Sequence, residues 1–178
     1  DTDSEAAFIT GYVPGGVPMV LDPGTAFKIP KGSVLVLQSH YVTTGKEGEE
    51  DETRVGLVYA KGTIQKEVKH FRVTTGKFAI PPGDAHHRVV AERTLDCDAT
   101  GLGMFVHMHV RGKDMTFLAH YPDGRTENIL AVPNYNFDWQ LAYRWPTDYA
   151  HFPKGTKIEC IAHYDNSAFN PYNPDPKD

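Results

Sequence analysis

The chain is poor in basic charge, in cysteine and in continuous apolar sequence, and each shortage closes off a class of function. Lys and Arg number 18 against 23 Asp and Glu, a formal net charge of −5, so no basic footprint is offered to a nucleic-acid backbone. No apolar run approaches the ~20 residues that a membrane-spanning helix needs. Only two cysteines occur, Cys97 and Cys160. Neither has a CxxC partner, which argues against a thiolate zinc site, while one disulfide and two free thiols stay equally open. Gly-x-Ser-x-Gly is absent, glycine-rich phosphate loops are absent, and neither cysteine has a histidine nearby in a recognisable context. Nucleophilic catalysis and phosphate-loop binding therefore have no support. Long runs of strong helix formers are missing too.

What the chain does have is turn sequence. Pro14-Gly15-Gly16, Pro23-Gly24, Pro30-Lys31-Gly32, Pro82-Gly83, Pro122-Asp123-Gly124 and Pro153-Lys154-Gly155 punctuate it. Between them lie short apolar or alternating runs, Ser33–Val42, Arg54–Tyr59, Lys77–Ile80, Gly103–Val110, Asn136–Trp145 and Thr156–His163. This pattern predicts an all-β protein, a sandwich or barrel, and 178 residues allow one large or two small β-rich domains with a real core. In Phe137–Trp145 the odd positions are all large and apolar, so that face is expected in the core. The acidic run 46–52 contains no apolar residue and reads as a solvated loop.

The residues with most chemical content are in Gly103–Asp114. On a β-strand, alternation sends His107 and His109 to one face and Met104, Val106, Met108 and Val110 to the other. Two imidazoles so spaced stand roughly 6–7 Å apart at Cβ and can reach one ion, while the apolar face anchors the strand. Two histidines on a solvated strand face are the bland alternative. An internal echo adds to this: Pro30-Lys31-Gly32-Ser33 leads to His40-Tyr41, and Pro153-Lys154-Gly155-Thr156 leads to His163-Tyr164, with the same proline-to-histidine spacing. Two similar β-units, meeting near Arg72–Lys77, account for it. His40 then shares a strand face with Val36 and Gln38. His86 and His87 are adjacent and face opposite ways on a strand, and His70, His120 and His151 have no partner at ligand spacing.

Two family patterns bear on these residues. Gly101, His107-x-His109 and Asp114 partly resemble the first cupin motif, and Pro81-Pro82-Gly83-Asp84-Ala85-His86 partly resembles the second. Their order is inverted here, however, and the carboxylate is Asp where cupins place Glu. A cupin-like mononuclear site is thus a secondary reading.

The fuller likeness runs through His107-x-His109-x-x-Gly112-Lys113, Leu37-Gln38-x-His40-Tyr41 and the Cys160 strand. It continues through Tyr121-Pro122-Asp123-Gly124-Arg125, Tyr135-x-Phe137-x-Trp139-Gln140 and the Asp165–Pro176 segment. Together these resemble the copper type II, ascorbate-dependent monooxygenase family, to which peptidylglycine α-hydroxylating and dopamine β-monooxygenases belong, and in particular its bacterial multidomain relatives. The resemblance implies two jelly-roll-like antiparallel β-sandwich units. Residues 1–72 would be the C-terminal part of the first, incomplete unit, and residues 73–178 a second unit lacking its last strands.

It also implies copper. His107 and His109 match two ligands of the oxygen-activating site, and His40 matches one of three in the electron-transfer site. The family's methionine ligand lies beyond the Asn-Pro-Asp-Pro segment, and the other two electron-transfer histidines lie upstream, so the chain is expected to be a piece of a longer protein. Met108 points away from the histidine face and does not replace the missing thioether. His163, by its echo of His40, and Gln38, on the strand face of His40, are candidate additional ligands or supporting residues. Phe105 stands where the peptide-amidating members carry an arginine, which argues against a peptidylglycine substrate. The implied activity is O2-dependent C–H hydroxylation of a small molecule with an external reductant. The setting would be periplasmic or secreted, beside cytochrome c or thioredoxin-like domains. A non-catalytic copper-binding or structural module is the alternative.

Overall fold

A computed structural model describes residues 8–13, 16–39, 41, 45–48 and 50–177. Among them every regular element is a strand: β1 (Thr25–Phe27), β2 (Lys66–Val68), β3 (His87–Thr94), β4 (Ala99–Gly101), β5 (Gly103–Phe105), β6 (Gly112–His120), β7 (Thr126–Val132), β8 (Ala142–Arg144), β9 (Ala150–Phe152) and β10 (Lys157–Tyr164). The protein is all-β, as its turn-rich sequence predicts. It divides into two compact units, one of Asp1–Ile9 with Met19–His70 and one of Thr10–Pro18 with Phe71–Asp178.

In the first unit β1 and β2 pair in parallel, Thr25 opposite Lys66 and Phe27 opposite Val68. The family resemblance implied antiparallel sandwiches; the long connection between these two strands permits the parallel pairing that a tight turn forbids. His70 is structural. Its ring stacks on Phe27 at 5.6 Å and meets Phe8 edge-on at 5.0 Å, with a ring nitrogen 3.2 Å from the Ile9 carbonyl oxygen. The runs 33–42 and 54–59 are not strands among the described residues, and Val34, Val36 and Val58 are exposed. Apolar alternation makes a strand only where a neighbour completes the hydrogen-bond ladder. The described residues of the acidic run are exposed; Asp51 accepts hydrogen bonds from Tyr41 and Thr53, and Glu52 pairs with Arg54.

The second unit is built on an antiparallel sheet of order β3-β10-β6-β7. Its central strands alternate cleanly. Met115, Phe117 and Ala119 of β6 are buried, and so are Ile158, Cys160 and Ala162 of β10, with Phe117 opposite Cys160 and Met115 opposite Ala162. A slip of one residue would expose this row and bury Asp114, Thr116 and His120. Each large apolar side chain buried there stabilises by about 1.5–3 kcal/mol, which holds the register.

Two ribbons, β4 with β9 and β5 with β8, contribute to the same core: Ala150 and Phe152 are buried in it, and Met104, Tyr143 and Trp145 pack against it. The unit is sandwich-like in that sense. Val106, Met108 and Leu95 complete the buried cluster.

One strand is shorter than its pattern suggests. Of Phe137–Trp145 only Ala142–Arg144 is strand, and Phe137 and Trp139 are exposed. Asn136 diverts the chain: its Oδ1 accepts the Asp138 N–H at 2.8 Å and its carbonyl accepts the Trp139 N–H at 3.0 Å. Such a side chain competes with the ladder and favours a turn.

The Pro-Lys-Gly echo is real at the level of the turn. Gly32 and Gly155 have φ of 87° and 88°, and the Ser33 and Thr156 N–H groups donate to the Pro30 and Pro153 carbonyls at 3.1 and 3.0 Å. Only the second turn leads into a described strand, β10. Both thiols are free, Cys97 exposed and Cys160 buried, and burial pushes the Cys160 thiol up to about 11.

Candidate metal centres

His107 and His109 follow β5 on a segment whose burial alternates. Val106 and Met108 are each 2% exposed, whereas Phe105, His107 and His109 are exposed. The two imidazoles are neighbours, with ring centroids 5.2 Å apart at an interplanar angle of 77°. Phe105 stacks against His107 at 6.4 Å, and Phe137 tilts over His109 at 6.0 Å. Gln140 Oε1 lies 2.5 Å from His107 Nδ1. That contact fixes Nδ1 as the N–H donor and leaves Nε2 with a free lone pair.

The backbone beneath the pair is held from both sides by Tyr135. Its hydroxyl accepts the Met108 N–H at 3.0 Å and donates to the Met108 carbonyl at 2.6 Å, and burial raises the pKa of the phenol. The chain then turns sharply, with the Gly112 N–H donating to the His109 carbonyl at 2.8 Å. A Cβ at position 112 would stand 2.6 Å from Met108 Cβ and 3.0 Å from Tyr135 Cδ1. The spacing His-x-His-x-x-Gly therefore has a steric cause: only glycine lets β6 begin this close to the segment that presents the histidines.

Arg111 and Lys113 flank that glycine and tie it down. Arg111 donates to Asn173 Oδ1 at 2.9 Å and to the Asp175 carbonyl at 2.8 Å, and Lys113 donates to the Ala85 carbonyl at 3.0 Å. A cleft of about 310 Å³ runs alongside, lined by Lys113, Asn136, Phe137, Asp138, Phe169 and Tyr172 among others. Phe137 belongs both to the cleft and to the surroundings of His109.

The methionines face the other way. Met108 and Met115 are buried in the core and Met104 packs against it, so none of the three is presented beside the histidine pair. His40 lies outside the described residues, and Gln38 is exposed. His163 goes to a different place from the pair. Its Nδ1 is 2.6 Å from Asp114 Oδ1, its ring stacks on that of His86 at 4.1 Å, and His86 Nε2 lies 3.9 Å from Asp114 Oδ2. Asp114 and His86, the carboxylate and histidine of the two cupin-like motifs, thus meet His163 rather than joining His107 and His109 in one four-residue set. His120 is taken up by Glu159 at 2.7 Å and Thr126 at 3.0 Å.

Sequence reasoning passed over Tyr135, Gln140 and the pairing of Asp114 with His163. The first two lie in a motif that had no chemistry of its own, and the third depends on strand register. No family model, curated protein or solved structure matches the chain.

Proposed function

We propose that this chain is a copper-dependent monooxygenase-like domain, in which His107 and His109 hold the metal. The observation that carries this reading is the pair itself: two exposed imidazoles 5.2 Å apart, on a segment whose intervening residue, Met108, is anchored in the core. Imidazole suits copper, and a site with two protein nitrogens keeps a position open for a further ligand. Bound there, copper supplies the activation of O2 that hydroxylates a C–H bond, with electrons from an external reductant.

The chain's own residues bind and orient. Gln140 holds the His107 ring so that Nε2 is the donor, the kind of supporting bond that metal-ligating histidines use. Tyr135 and Gly112 keep the backbone under both rings in place. The cleft beside Phe137 offers a small-molecule substrate an aromatic wall, with Lys113 and Asp138 as polar contacts. Around this site we read a jelly-roll-like sandwich in an extracytoplasmic protein whose reductant comes from fused or neighbouring redox domains, cytochrome c or thioredoxin-like.

One observation favours a second reading, a non-catalytic copper-binding module. Met104, Met108 and Met115 are committed to the core, so the soft thioether that would favour the reduced ion is not supplied by them.

Copper titration and electron paramagnetic resonance separate these readings. The monooxygenase reading expects one Cu(II) with nitrogen hyperfine structure that His107→Ala and His109→Ala each remove. It also expects O2 consumption with ascorbate above that of free copper, accompanied by a hydroxylated product. Copper binding without turnover leaves the module, and a spectrum unchanged by both substitutions refutes copper at this pair.

A further inference from the structure

We propose a second metal centre in the same unit, formed by His86, Asp114 and His163, that takes a divalent ion of the zinc class. Three elements converge on it: the turn before β3 carries His86, β6 carries Asp114 and β10 carries His163. Asp114 and His163 are direct cross-strand partners. Both lie on the sheet face opposite the buried row of Met115 and Ala162. One ligand atom from each of the three residues lies within 4.8 Å of the others.

Zinc bonds of about 2.0–2.2 Å place neighbouring donors about 3–3.5 Å apart, so the set is close to assembled. An ion enters between His163 Nδ1 and the carboxylate, in place of the hydrogen bond that joins them at 2.6 Å. His86 needs only a small swing, and its side chain, 59% exposed, is free to make it. Two imidazole nitrogens and one carboxylate are the donor set of an open zinc site, in which solvent fills the fourth position. The carboxylate oxygen makes this centre harder than the imidazole pair at His107 and His109, and a mixed nitrogen and oxygen donor set suits zinc.

The turn that presents His86 is unusually well fixed. Asn166, with no exposed surface, donates from Nδ2 to the carbonyls of Ile80 and Pro81 at 3.1 and 3.3 Å. Its N–H donates to the Asp84 carbonyl at 2.7 Å, and its own carbonyl accepts the Gly83 N–H at 3.0 Å. Asp84 accepts the His86 N–H at 2.9 Å and engages His87 Nδ1 at 3.1 Å, which turns His87 away from the cluster. Lys113 closes the turn through the Ala85 carbonyl. An exposed imidazole on a backbone held at Gly83, Asp84, Ala85 and His86 loses little freedom when it binds an ion, which is how a preorganised site gains affinity.

Calorimetric titration with zinc chloride tests this in a His107→Ala/His109→Ala background, where the copper pair is gone. One zinc equivalent is expected there. Adding His86→Ala or His163→Ala should weaken zinc more than the roughly 10–100-fold that loss of an outer-shell partner costs. His86 is exposed, so its replacement keeps the fold and the test valid even if His163→Ala unfolds. Zinc affinity unmoved by His86→Ala, or no zinc taken up in the double-alanine background, overturns the centre. Both results leave the copper reading to its own titration.

Discussion

Replacing Gly112 by Ala adds one methyl at the point where β6 leaves the histidine segment. Its φ is not positive, so the backbone itself accepts alanine. The obstacle is contact: the new Cβ would sit 2.6 Å from Met108 Cβ, 3.0 Å from the His109 oxygen and 3.0 Å from Tyr135 Cδ1. Carbon pairs prefer about 3.5–4.0 Å, so the Met108 contact is short by about an ångström. Met108 cannot yield by rotating, because Cβ is set by the backbone and the side chain is in the core. Overpacking of this kind costs about 1–3 kcal/mol. The unfolded chain loses freedom on gaining a Cβ, which returns about 0.4–1 kcal/mol.

A net loss of about 1–2 kcal/mol follows. With a urea slope of ~1–3 kcal/mol/M the unfolding midpoint falls by about 0.3–2 M at unchanged slope. Because relief has to come from residues 108–112, the histidines shift with it, and copper binding weakens by about tenfold or more, equivalent to at least ~1.4 kcal/mol. Gly76→Ala is the control, with nothing within 4 Å of the added Cβ; it should be neutral or slightly stabilising. A Gly112→Ala protein as stable as the parent, with unaltered copper affinity, would refute the close-approach account of the His-x-His-x-x-Gly spacing.

Met108→Leu preserves volume and should cost under ~1.5 kcal/mol; copper affinity stays at the parent value in titration, and a large loss would make the thioether a ligand. Asn166→Ala removes two side-chain donations, to Ile80 and Pro81, and the acceptor of the Asn173 amide at 2.9 Å. At about 0.5–1.5 kcal/mol for each of the three bonds, the loss is about 2–4 kcal/mol by chemical denaturation. Zinc affinity should fall further than copper affinity, since Asn166 anchors the His86 turn. Native protein should give one fast thiol equivalent with an aromatic disulfide reagent, abolished by Cys97→Ser, because Cys160 is buried with its pKa pushed up to about 11. The same shift has a linkage consequence. The stability it confers is complete below the unfolded thiol value of 9.0 and is lost as pH rises from there towards about 11. Denaturation midpoints across that window should therefore fall less steeply in Cys160→Ala, measured relative to its own value at neutral pH.

Much of the frame was legible because it depends on local rules. Glycine and proline clusters mark turns wherever they fall, and two Pro-Lys-Gly turns take the same conformation for that reason. Alternation in 156–163 was readable because β10 is central, with β3 and β6 on either side of it. The same alternation misled at Phe137 and Trp139, where the Asn136 side chain and carbonyl each took one backbone N–H group and ended the strand before it began. In Ser33–Val42 it failed for a different cause, the lack of a pairing neighbour among the described residues.

The sequence by itself determined the all-β class, the outward pairing of His107 and His109 against an inward Met108, and the positions of the proline-glycine turns. Each rests on the two-residue period of an extended chain or on sterics between near neighbours. Tertiary structure alone decided which distant groups meet. That Asp114 faces His163 follows from the register of β6 on β10, set by the burial of Met115, Phe117, Cys160 and Ala162 on the other face. That His86 reaches them follows from Asn166 gathering its turn. Neither register nor a long-range hydrogen bond leaves a periodic mark on the chain. The juxtaposition of His107 and His109 was therefore readable, while the second cluster, made of three residues from three separate stretches, was not.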